Sequence, residues 1–383
     1  MDNKEFQEKL ARERQEIDRI DKQLLPLFLE RMGCVERVGI LKRQAGAPVR
    51  SAAREQEIID RVSRQAGELG SSAAALYKAI MAISRDREHA VMNEDSALRQ
   101  LERTADRRLP DRIDRVVCQG VRGAYSHRAA QRLFPGADIS FVPEFGQVFR
   151  EVSEGALGVV PVENSAAGSV TAVYDLILKY RFFIVGAVDV RIEHCLAAAV
   201  PGPVKDVLSH PQALAQCSEF IADRGIQARE YSNTAAAAQA VAERREPGLA
   251  AICSEEAALR YSLTILERGI QNVRNNTTRF VAVSKEPVLP ENAGKISLCF
   301  SLPHTTGSLH GVLRRFDSLG LNLTKIESRP IPGRDFEYDF YLDFTGSIHD
   351  VETLNLICAL NAELPRFSFL GNYNELSAEK EEN

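Results

Sequence analysis

Roughly the first hundred residues carry apolar side chains at helical spacing and almost no strand-like runs. Over residues 6–43 these positions follow a period near 3.6, which predicts one very long helix. Pro26 lies inside this helix and should kink it, because proline removes a backbone donor. Two further helices are predicted over 51–65 and from residue 72 into the 90s. Residues 1–96 are therefore predicted to form an all-α domain of three helices.

The pattern changes after the charged stretch 97–112, which is predicted to be a linker. Over residues 113–288, short apolar runs such as LGVVPVE and LAAICS alternate with helical segments, which predicts α/β organisation. Over residues 295–373 the order strand, helix, strand, strand, helix, strand predicts a ferredoxin-like α+β domain. The charged tail LSAEKEEN is predicted to be disordered. The chain is thus expected to be multidomain.

Composition narrows the classes of function. A length of 383 residues predicts two or three domains, and 44% hydrophobic with 26% charged residues is typical of globular proteins. The net charge of −5 argues against a nucleic-acid partner. No apolar run reaches the roughly 18 residues of a membrane span, and the charged N-terminus lacks a signal-peptide pattern. The seven cysteines are scattered, as in reduced proteins, so a cytoplasmic location is expected.

Two cations fall within the apolar stripe of the long helix. At about 100° per residue, Arg31 and Lys42 lie within roughly 40° of the stripe's centre, with Arg14 at its edge. Charges in such a seam are costly unless they are paired. One interpretation is snorkelling side chains or ion pairs with Glu30 and Glu55. The other is a site for a small polycarboxylate held between helices.

The helical segment resembles the chorismate mutase domain of bacterial bifunctional chorismate mutase/prephenate dehydratases. The resemblance rests on RERQEIDRID, LFLERM, VGILK, PVRSAAREQ and the pair Ser84 and Glu88. It implies that chorismate is rearranged to prephenate, with Arg31, Lys42 and Glu88 acting on the reacting groups. Ser51 and Glu88 depart from the usual pattern, in which Asp and Gln are common. The implied substrate-binding residues are Arg14, Arg31, Lys42, Ser51, Arg54, Glu55, Ser84 and Glu88.

The spacing of the arginines also bears on assembly. Arg14 and Arg31 are 17 residues apart, about 25 Å along a helix. A ligand shorter than about 10 Å cannot touch both on one chain at that rise per residue. If both serve one site, Arg14 must come from a partner. A homodimer or higher homo-oligomer with interlocked helices is therefore expected.

Five separated motifs in the central segment resemble the prephenate dehydratase domain: GVRGAYSHRAA, VVPVENSAAGSVTAVYDLI, HCLA, SHPQALAQC and NNTTRFVAV. The resemblance implies a two-lobed, periplasmic-binding-protein-like α/β domain that decarboxylates and dehydrates prephenate to phenylpyruvate. Several of its polar residues follow apolar strands, where ligands of open α/β sheets bind. Helix capping is the alternative role for each single Ser or Asn. The implied substrate-binding residues are Asn164, Ser165, Ser209, Gln216, Thr278 and Arg279.

Loss of hydroxide from prephenate requires a hydrogen-bond donor beside the leaving group. By resemblance Thr278 is the catalytic residue, and its hydroxyl can supply that hydrogen bond. Arg279 either holds a carboxylate or braces the fold. His194 with Cys195, and His210 with Cys217, lack zinc-type spacing. No phosphate-binding glycine pattern is present, so neither a metal nor a cofactor is predicted.

The C-terminal segment resembles an ACT regulatory domain. The resemblance implies that phenylalanine binds as an effector at an interface between two such domains and inhibits the dehydratase. A purely structural dimerisation module is the alternative. The residues implied to bind phenylalanine are Gly307, Ser308, Leu309, Glu327, Ser328, Arg329 and Pro330.

Two other functions remain open for the whole chain. One is a monofunctional prephenate or arogenate dehydratase with a weak or inactive mutase domain. The other is a non-enzymatic two-lobed ligand sensor, because this fold also serves in solute binding. The cation-bearing helices and the NNTTRF motif favour the enzyme.

Overall fold

The structure is a computed structural model that describes residues 3–110, 112–331, 333–334 and 336–377. Its internal contacts divide the chain into two units. The helical unit comprises Met1–Arg103 with Val351–Leu364, and the α/β unit comprises Thr104–Asp350 with Pro365–Asn383. Among the helices of the described residues, none combines the length and apolar character needed to cross a bilayer.

The three predicted N-terminal helices are confirmed. Helix α1 continues through Pro26 without interruption. The stretch predicted as a linker begins instead with a fourth helix. Arg99 of this helix, and Ser96 directly before it, contact the helical unit's last element. The helices of this unit are α1 (Asn3–Ala45), α2 (Ala52–Gln65), α3 (Gly70–Met92), α4 (Ala97–Thr104) and α13 (Val351–Glu363).

Of the described residues of α1, only those in its second half contribute to the core of the helical unit. Met32, Val35 and Gly39 are buried, and Gly39 lies against the backbone of Glu88 on α3. The first half of α1 stays exposed along almost its whole length. Residues 3–29 of α1 nevertheless carry large exposed apolar side chains, which are Phe6, Ile17, Ile20, Leu24, Leu25, Leu27 and Leu29.

Helix α13 comes from the C-terminal segment but packs on α3. His89 Nε2 lies 2.9 Å from Glu363 Oε1, and Asn93 Nδ2 donates to the carbonyl oxygen of Cys358 at 3.4 Å. The sequence did not predict this association, because the apolar pattern of α13 indicates that it has a buried face but not which helix covers that face.

The α/β unit contains two sheets that form the predicted lobes. Lobe one has the strand order β16-β5-β11-β3-β1-β2, with β4 paired to β3. Its strands β5 and β11 pair antiparallel, and β1 pairs parallel with both β2 and β3. The elements are β1 (Val116–Gln119), α5 (Tyr125–Leu133), β2 (Ile139–Val142), α6 (Phe145–Ser153), β3 (Leu157–Asn164), β4 (Gly168–Ser169), α7 (Thr171–Tyr180), β5 (Phe183–Arg191), β11 (Thr277–Ser284) and β16 (Glu375–Leu376).

Lobe two has the strand order β10-β6-β9-β7-β8. The chain enters it after β5 and returns to lobe one at β11, so two segments connect the lobes. The elements are β6 (Cys195–Ala198), β7 (Asp206–Ser209), α8 (Pro211–Gln216), α9 (Ser218–Asp223), β8 (Gln227–Glu230), α10 (Thr234–Arg244), β9 (Leu249–Cys253), α11 (Glu255–Arg260) and β10 (Thr264–Arg268).

The third sheet confirms the predicted element order. It has the antiparallel order β13-β14-β12-β15, with α13 following β14 in the chain. Tyr341, Leu370 and Tyr373 of this sheet share a hydrophobic core with Val160 and Tyr174 of lobe one. Residues 378–383 of the predicted disordered tail lie outside the described residues. The elements are β12 (Lys295–Ser301), α12 (Ser308–Ser318), β13 (Leu323–Pro330), β14 (Tyr338–Thr345) and β15 (Arg366–Tyr373).

The third sheet approaches lobe one so closely that only glycine fits at residue 371. A Cβ atom there would lie 2.1 Å from the carbonyl oxygen of Ile184 on β5, and the φ of Gly371 is 151°. Both the contact and the backbone conformation exclude a side chain.

We therefore expect Gly371→Ala to lower the free energy of unfolding by about 2–4 kcal/mol, combining overpacking with backbone strain. Gly311→Ala is the matched control, because Gly311 lies in α12 with no atom near its Cβ position. That change should be neutral or stabilise by up to about 1 kcal/mol. Urea unfolding measures both. Equal midpoints for Gly371→Ala and the wild type would contradict the close approach.

Candidate active sites

The first candidate site lies where β3 and β11 of lobe one meet. Thr278 stands opposite Asn164 in the strand register, although 114 residues separate them in sequence. Asn164 Nδ2 donates to Thr278 Oγ1 at 2.8 Å. Both side chains are buried, at 5% and 8% exposure. The structure thus brings together two residues that the sequence analysis took from separate motifs.

The orientation of the Asn164 amide determines the role of the Thr278 hydroxyl. Asn164 Oδ1 accepts from the backbone N–H groups of Ala166 and Ala167, at 3.1 and 2.9 Å. Its nitrogen must therefore face Thr278, whose oxygen accepts. Within the described part of the chain, the Thr278 hydroxyl has no acceptor of its own. Its proton is consequently available to donate to a bound ligand.

Ser165 follows directly and braces the same strands. Its Oγ accepts from the backbone N–H of Thr277 at 2.9 Å, and its own N–H donates to the Thr277 carbonyl at 2.8 Å. Ser165 is exposed, so it both holds the start of β11 and remains open to a ligand.

Gln216 of lobe two is oriented by a histidine that the sequence analysis considered only as a metal ligand. His194 Nε2 lies 3.0 Å from Gln216 Oε1, and burial lowers the pKa of His194, which favours the neutral ring. The Tyr125 hydroxyl donates to the Glu193 carbonyl and lies 3.3 Å from His194 Nδ1. Because Gln216 Oε1 can only accept, its contact places the ring proton on Nε2, and the Gln216 amide nitrogen is directed away from the ring.

Ser209 has a structural contact. It is fully buried, and its Oγ donates to the carbonyl oxygen of Ile252 on β9 at 2.6 Å. This hydrogen bond links β7 to β9. Among the described residues, the Ser209 side chain forms no hydrogen bond with another candidate residue.

Arg279 points away from Thr278, because successive side chains of a strand face opposite sides. Its Nε lies 3.1 Å from Asp189 Oδ1 and 2.8 Å from Glu375 Oε1. Burial, the largest single influence, lowers the pKa of Arg279, but the hydrogen bond to Asp189 and the negative charges of Glu375 and Asp189 raise it overall. Of the two roles that the sequence left open, these contacts support bracing of the fold.

The described residues contain no group of three or more His, Cys, Asp or Glu side chains able to hold a metal ion. His210 Nδ1 instead accepts from the backbone N–H of Gln212 and caps α8. Burial raises the pKa of Cys217 to about 12, so its thiol stays protonated near neutral pH. A cysteine nucleophile at that position is therefore disfavoured.

The second candidate site lies between α1 and α3. Lys42 Nζ donates to Glu88 Oε2 at 2.6 Å and to the Val49 carbonyl at 2.7 Å. Arg31 donates to Ser84 Oγ, one turn before Glu88. Ser84 and Glu88 are 5% and 8% exposed. Four of the eight predicted mutase residues thus meet in one chain.

The other four predicted mutase residues are arranged differently. Glu55 pairs with Arg85 at 2.7 Å, a residue that the sequence analysis did not name. Arg54 pairs with Glu57 at 2.7 Å on the exposed face of α2. Ser51 is at the exposed N-cap of α2 with no capping hydrogen bond, and Arg14 is exposed on the first half of α1.

The residues predicted to bind phenylalanine lie on α12 and β13. Gly307 begins α12 with a φ of 81°, a conformation that favours glycine. On β13 alternate side chains face lobe one: Arg329 donates to the Thr171 carbonyl at 3.1 Å, and Glu327 accepts from Ser169. Ser328 and Pro330 are exposed on the opposite side, and Ser308 and Leu309 are half-buried.

Lys325 joins these residues to lobe one and was missed from the sequence. Its side chain is 6% exposed, and its Nζ donates to Ser169 Oγ and to Tyr174 OH, each at 3.0 Å. It also lies 3.4 Å from carboxylate oxygens of Glu163 and Glu327. The lysine thus contacts both the phenylalanine motif and the residue that precedes Asn164.

Two family models match this chain, one over the α/β unit and one over the helical unit. The family model described as Prephenate dehydratase matches residues 116–288, and that described as Chorismate mutase type II matches residues 13–89. The solved prephenate dehydratase of Arthrobacter aurescens in complex with L-Phe aligns with a TM-score of 0.62 at 30% identity. That alignment covers 68% of this chain and 89% of that one.

Two curated relatives extend the comparison. An arogenate dehydratase/prephenate dehydratase of Arabidopsis thaliana is 38% identical over 68% of this chain and 72% of its own. The bifunctional chorismate mutase/prephenate dehydratase of Aquifex aeolicus is 31% identical over 374 residues, which cover 96% of this chain and 98% of its own. Both family models and a relative of matching length therefore agree, and the chain belongs to the bifunctional chorismate mutase/prephenate dehydratase family.

Proposed function

We propose that this chain rearranges chorismate to prephenate in its helical unit and converts prephenate to phenylpyruvate at the lobes of its α/β unit. Phenylpyruvate is a precursor of phenylalanine, so the function is phenylalanine biosynthesis. The observation that carries the dehydratase assignment is the buried Thr278 hydroxyl, which accepts from Asn164 and keeps its own proton available.

The proposed dehydratase mechanism needs no covalent intermediate. The Thr278 hydroxyl donates to the ring hydroxyl of prephenate as that group departs, while carbon dioxide leaves and the ring becomes aromatic. Ser165 and the Gln216 amide, which His194 orients, bind the polar groups of the substrate. Ser209 and Arg279 support the strands that present these groups.

Thr278→Ala should lower phenylpyruvate formation by roughly two orders of magnitude or more, the range expected on losing an acid-type contribution. Thr278→Ser keeps the hydroxyl and should retain most of the activity. The mutase rate of the same preparations should not change, since its proposed residues lie in the helical unit. Steady-state assays with prephenate and with chorismate measure both activities. A fully active Thr278→Ala enzyme would contradict the assignment.

For the mutase we propose that Arg31, Lys42 and Glu88 surround the reacting ether group, with Ser84 beside them. A pericyclic rearrangement needs a compact conformer and positive charge beside the breaking bond rather than a nucleophile. Arg14, Ser51, Arg54 and Glu55 are proposed to complete the substrate contacts once a partner chain is present.

The partner is proposed to be a second copy of this chain. Helix α1 has 43 residues, about 65 Å, and its first half exposes a row of apolar side chains that no described residue of the chain covers. An isologous pair of such helices would cover both rows. It would also bring Arg14 of one chain to the other chain's Arg31.

Mixing inactive subunits tests this arrangement. Arg14→Ala and Arg31→Ala should each lose most mutase activity alone, because each removes one cation from the shared site. Random co-assembly of the two should restore about a quarter of the wild-type sites, since half the dimers are mixed and each contains one intact site. Arg31→Ala mixed with Lys42→Ala is the control, because both residues belong to the same chain's half-site. No recovery in the first mixture would exclude a site shared between chains.

Phenylalanine is proposed to inhibit the dehydratase through an ACT-type C-terminal domain. The related enzyme of Arthrobacter aurescens was solved with L-Phe, and the motif Glu327–Pro330 is present here. Support for coupling comes from Glu327, which accepts from Ser169 four residues after Ser165. A ligand that moves β13 would therefore act on the turn that pins Asn164.

Substitution of Gly307 tests the effector site more cleanly than truncation, because the third sheet shares a core with lobe one. Gly307→Ala should raise the phenylalanine concentration needed for inhibition by roughly tenfold or more, since the left-handed turn at α12 would be strained. Gly320→Ala is the matched control at the other end of α12, with φ of 67° and equally open surroundings. Inhibition curves of the dehydratase provide the measurement. Equal shifts for both variants, or none for either, would contradict the proposed site.

A further inference from the structure

Asn276 lies directly before β11, and neither composition nor motif reasoning assigned it a role. It is 1% exposed, and its Oδ1 accepts from Asn164 Nδ2 at 2.7 Å. Its own Nδ2 is buried and has no hydrogen-bond partner within the described residues. A buried amide nitrogen without a partner destabilises the folded state. The Asn276 side chain thus makes one buried hydrogen bond through its oxygen and leaves its nitrogen unsatisfied.

The amide of Asn276 cannot be reversed to relieve this cost. Two backbone N–H groups, those of Ala166 and Ala167, hold the Asn164 oxygen, so the Asn164 nitrogen must face Asn276. A reversed Asn276 would place one donor against another. The unsatisfied nitrogen is thus a consequence of presenting an acceptor to Asn164.

That acceptor completes the pairing of the Asn164 nitrogen, which carries two hydrogens. One is directed to Thr278 Oγ1 at 2.8 Å and the other to Asn276 Oδ1 at 2.7 Å. The Thr277 carbonyl lies farther away, at 3.5 Å. With both hydrogens engaged, the plane of the amide is held in the position that makes Thr278 an acceptor.

We propose that Asn276 is a positioning residue for the dehydratase reaction, which holds the Asn164 amide so that the Thr278 hydroxyl directs its proton to the substrate. This inference rests on the proposed role of Thr278. Asn276 acts through Asn164 and touches no substrate itself. Its removal lets the Asn164 amide rotate, and the Thr278 proton then has alternative acceptors.

The experiment compares steady-state dehydratase kinetics of full-length wild type, Asn276→Ala, Thr278→Ala and the double variant. Asn276→Ala should lower kcat roughly 10- to 100-fold with KM within about threefold, because orientation rather than binding is lost. In the Thr278→Ala background the same change should alter kcat by less than about twofold, since residues acting through one group are not additive. Asn275→Ala is the matched control, because Asn275 is the exposed neighbour.

Three results would overturn the proposal: an equal loss of kcat in both backgrounds, a loss expressed mainly in KM, or an equal loss in Asn275→Ala. A Thr278→Ala enzyme that keeps full activity would instead refute the proposed role of Thr278, which separates the two failures. The thermal transition of each preparation reports whether the variant is folded, and the mutase rate, which depends on residues of the helical unit, should not change.

Asn276→Asp keeps the proposal testable if the alanine variant does not fold. The aspartate retains the acceptor oxygen, replaces the unpaired donor with a second oxygen and adds a negative charge. We expect its kcat to exceed that of any folded variant lacking the acceptor, such as Asn276→Leu, while KM rises because a carboxylate repels an anionic substrate. A kcat for Asn276→Asp no higher than that of Asn276→Leu would overturn the role of the acceptor.

Discussion

The antiparallel pairing of β3 with β11 is the constraint on which the α/β unit depends. It returns the chain from lobe two to the middle of lobe one and sets Asn164 opposite Thr278. The register shifts immediately afterwards, between Arg279 and Phe280. Bulges of this kind redirect side chains next to functional sites. A slip of one residue would turn Thr278 to the other face of the sheet and remove the site.

The opposite face of the same strand joins lobe one to the C-terminal sheet. Arg279 contacts Asp189 and Glu375, and Glu375 in turn pairs with Lys295 on β12 at 2.8 Å. Burial raises the pKa of nearby Asp343, which accepts from Ser297 Oγ. One strand therefore presents the Thr278 hydroxyl on one side and a network of charges on the other. A rearrangement of the C-terminal sheet would therefore act on β11 through these ion pairs, which gives the proposed regulation a physical connection to the proposed dehydratase site.

The sequence predicted elements well where the signal was local. The three N-terminal helices and the six C-terminal elements follow apolar periodicity, and the structure confirms them. Contacts between distant segments were not predictable in this way: α13 packs on α3, Lys325 contacts Tyr174, and Arg85 pairs with Glu55. These pairings depend on the tertiary arrangement, which no single segment encodes. Asn276 was missed for a related reason, because an unpaired buried nitrogen is visible only after every neighbour has been placed.

The cations of the apolar seam are paired, but not with Glu30 or Glu55 as the sequence analysis considered: Lys42 pairs with Glu88, and Glu55 pairs with Arg85. The pairing of Lys42 with Glu88 offsets the cost of burying its charge. An ammonium has three N–H donors, however, and the described contacts of Lys42 occupy two of them. Arg31 has five donors and one described bond, to Ser84. Intrachain pairing therefore fixes the direction of both cations and leaves N–H donors that the proposed substrate would engage. Glu88 and Ser84 pair with these cations and also orient them, so the same contacts offset the cost of burying the charge and set its direction.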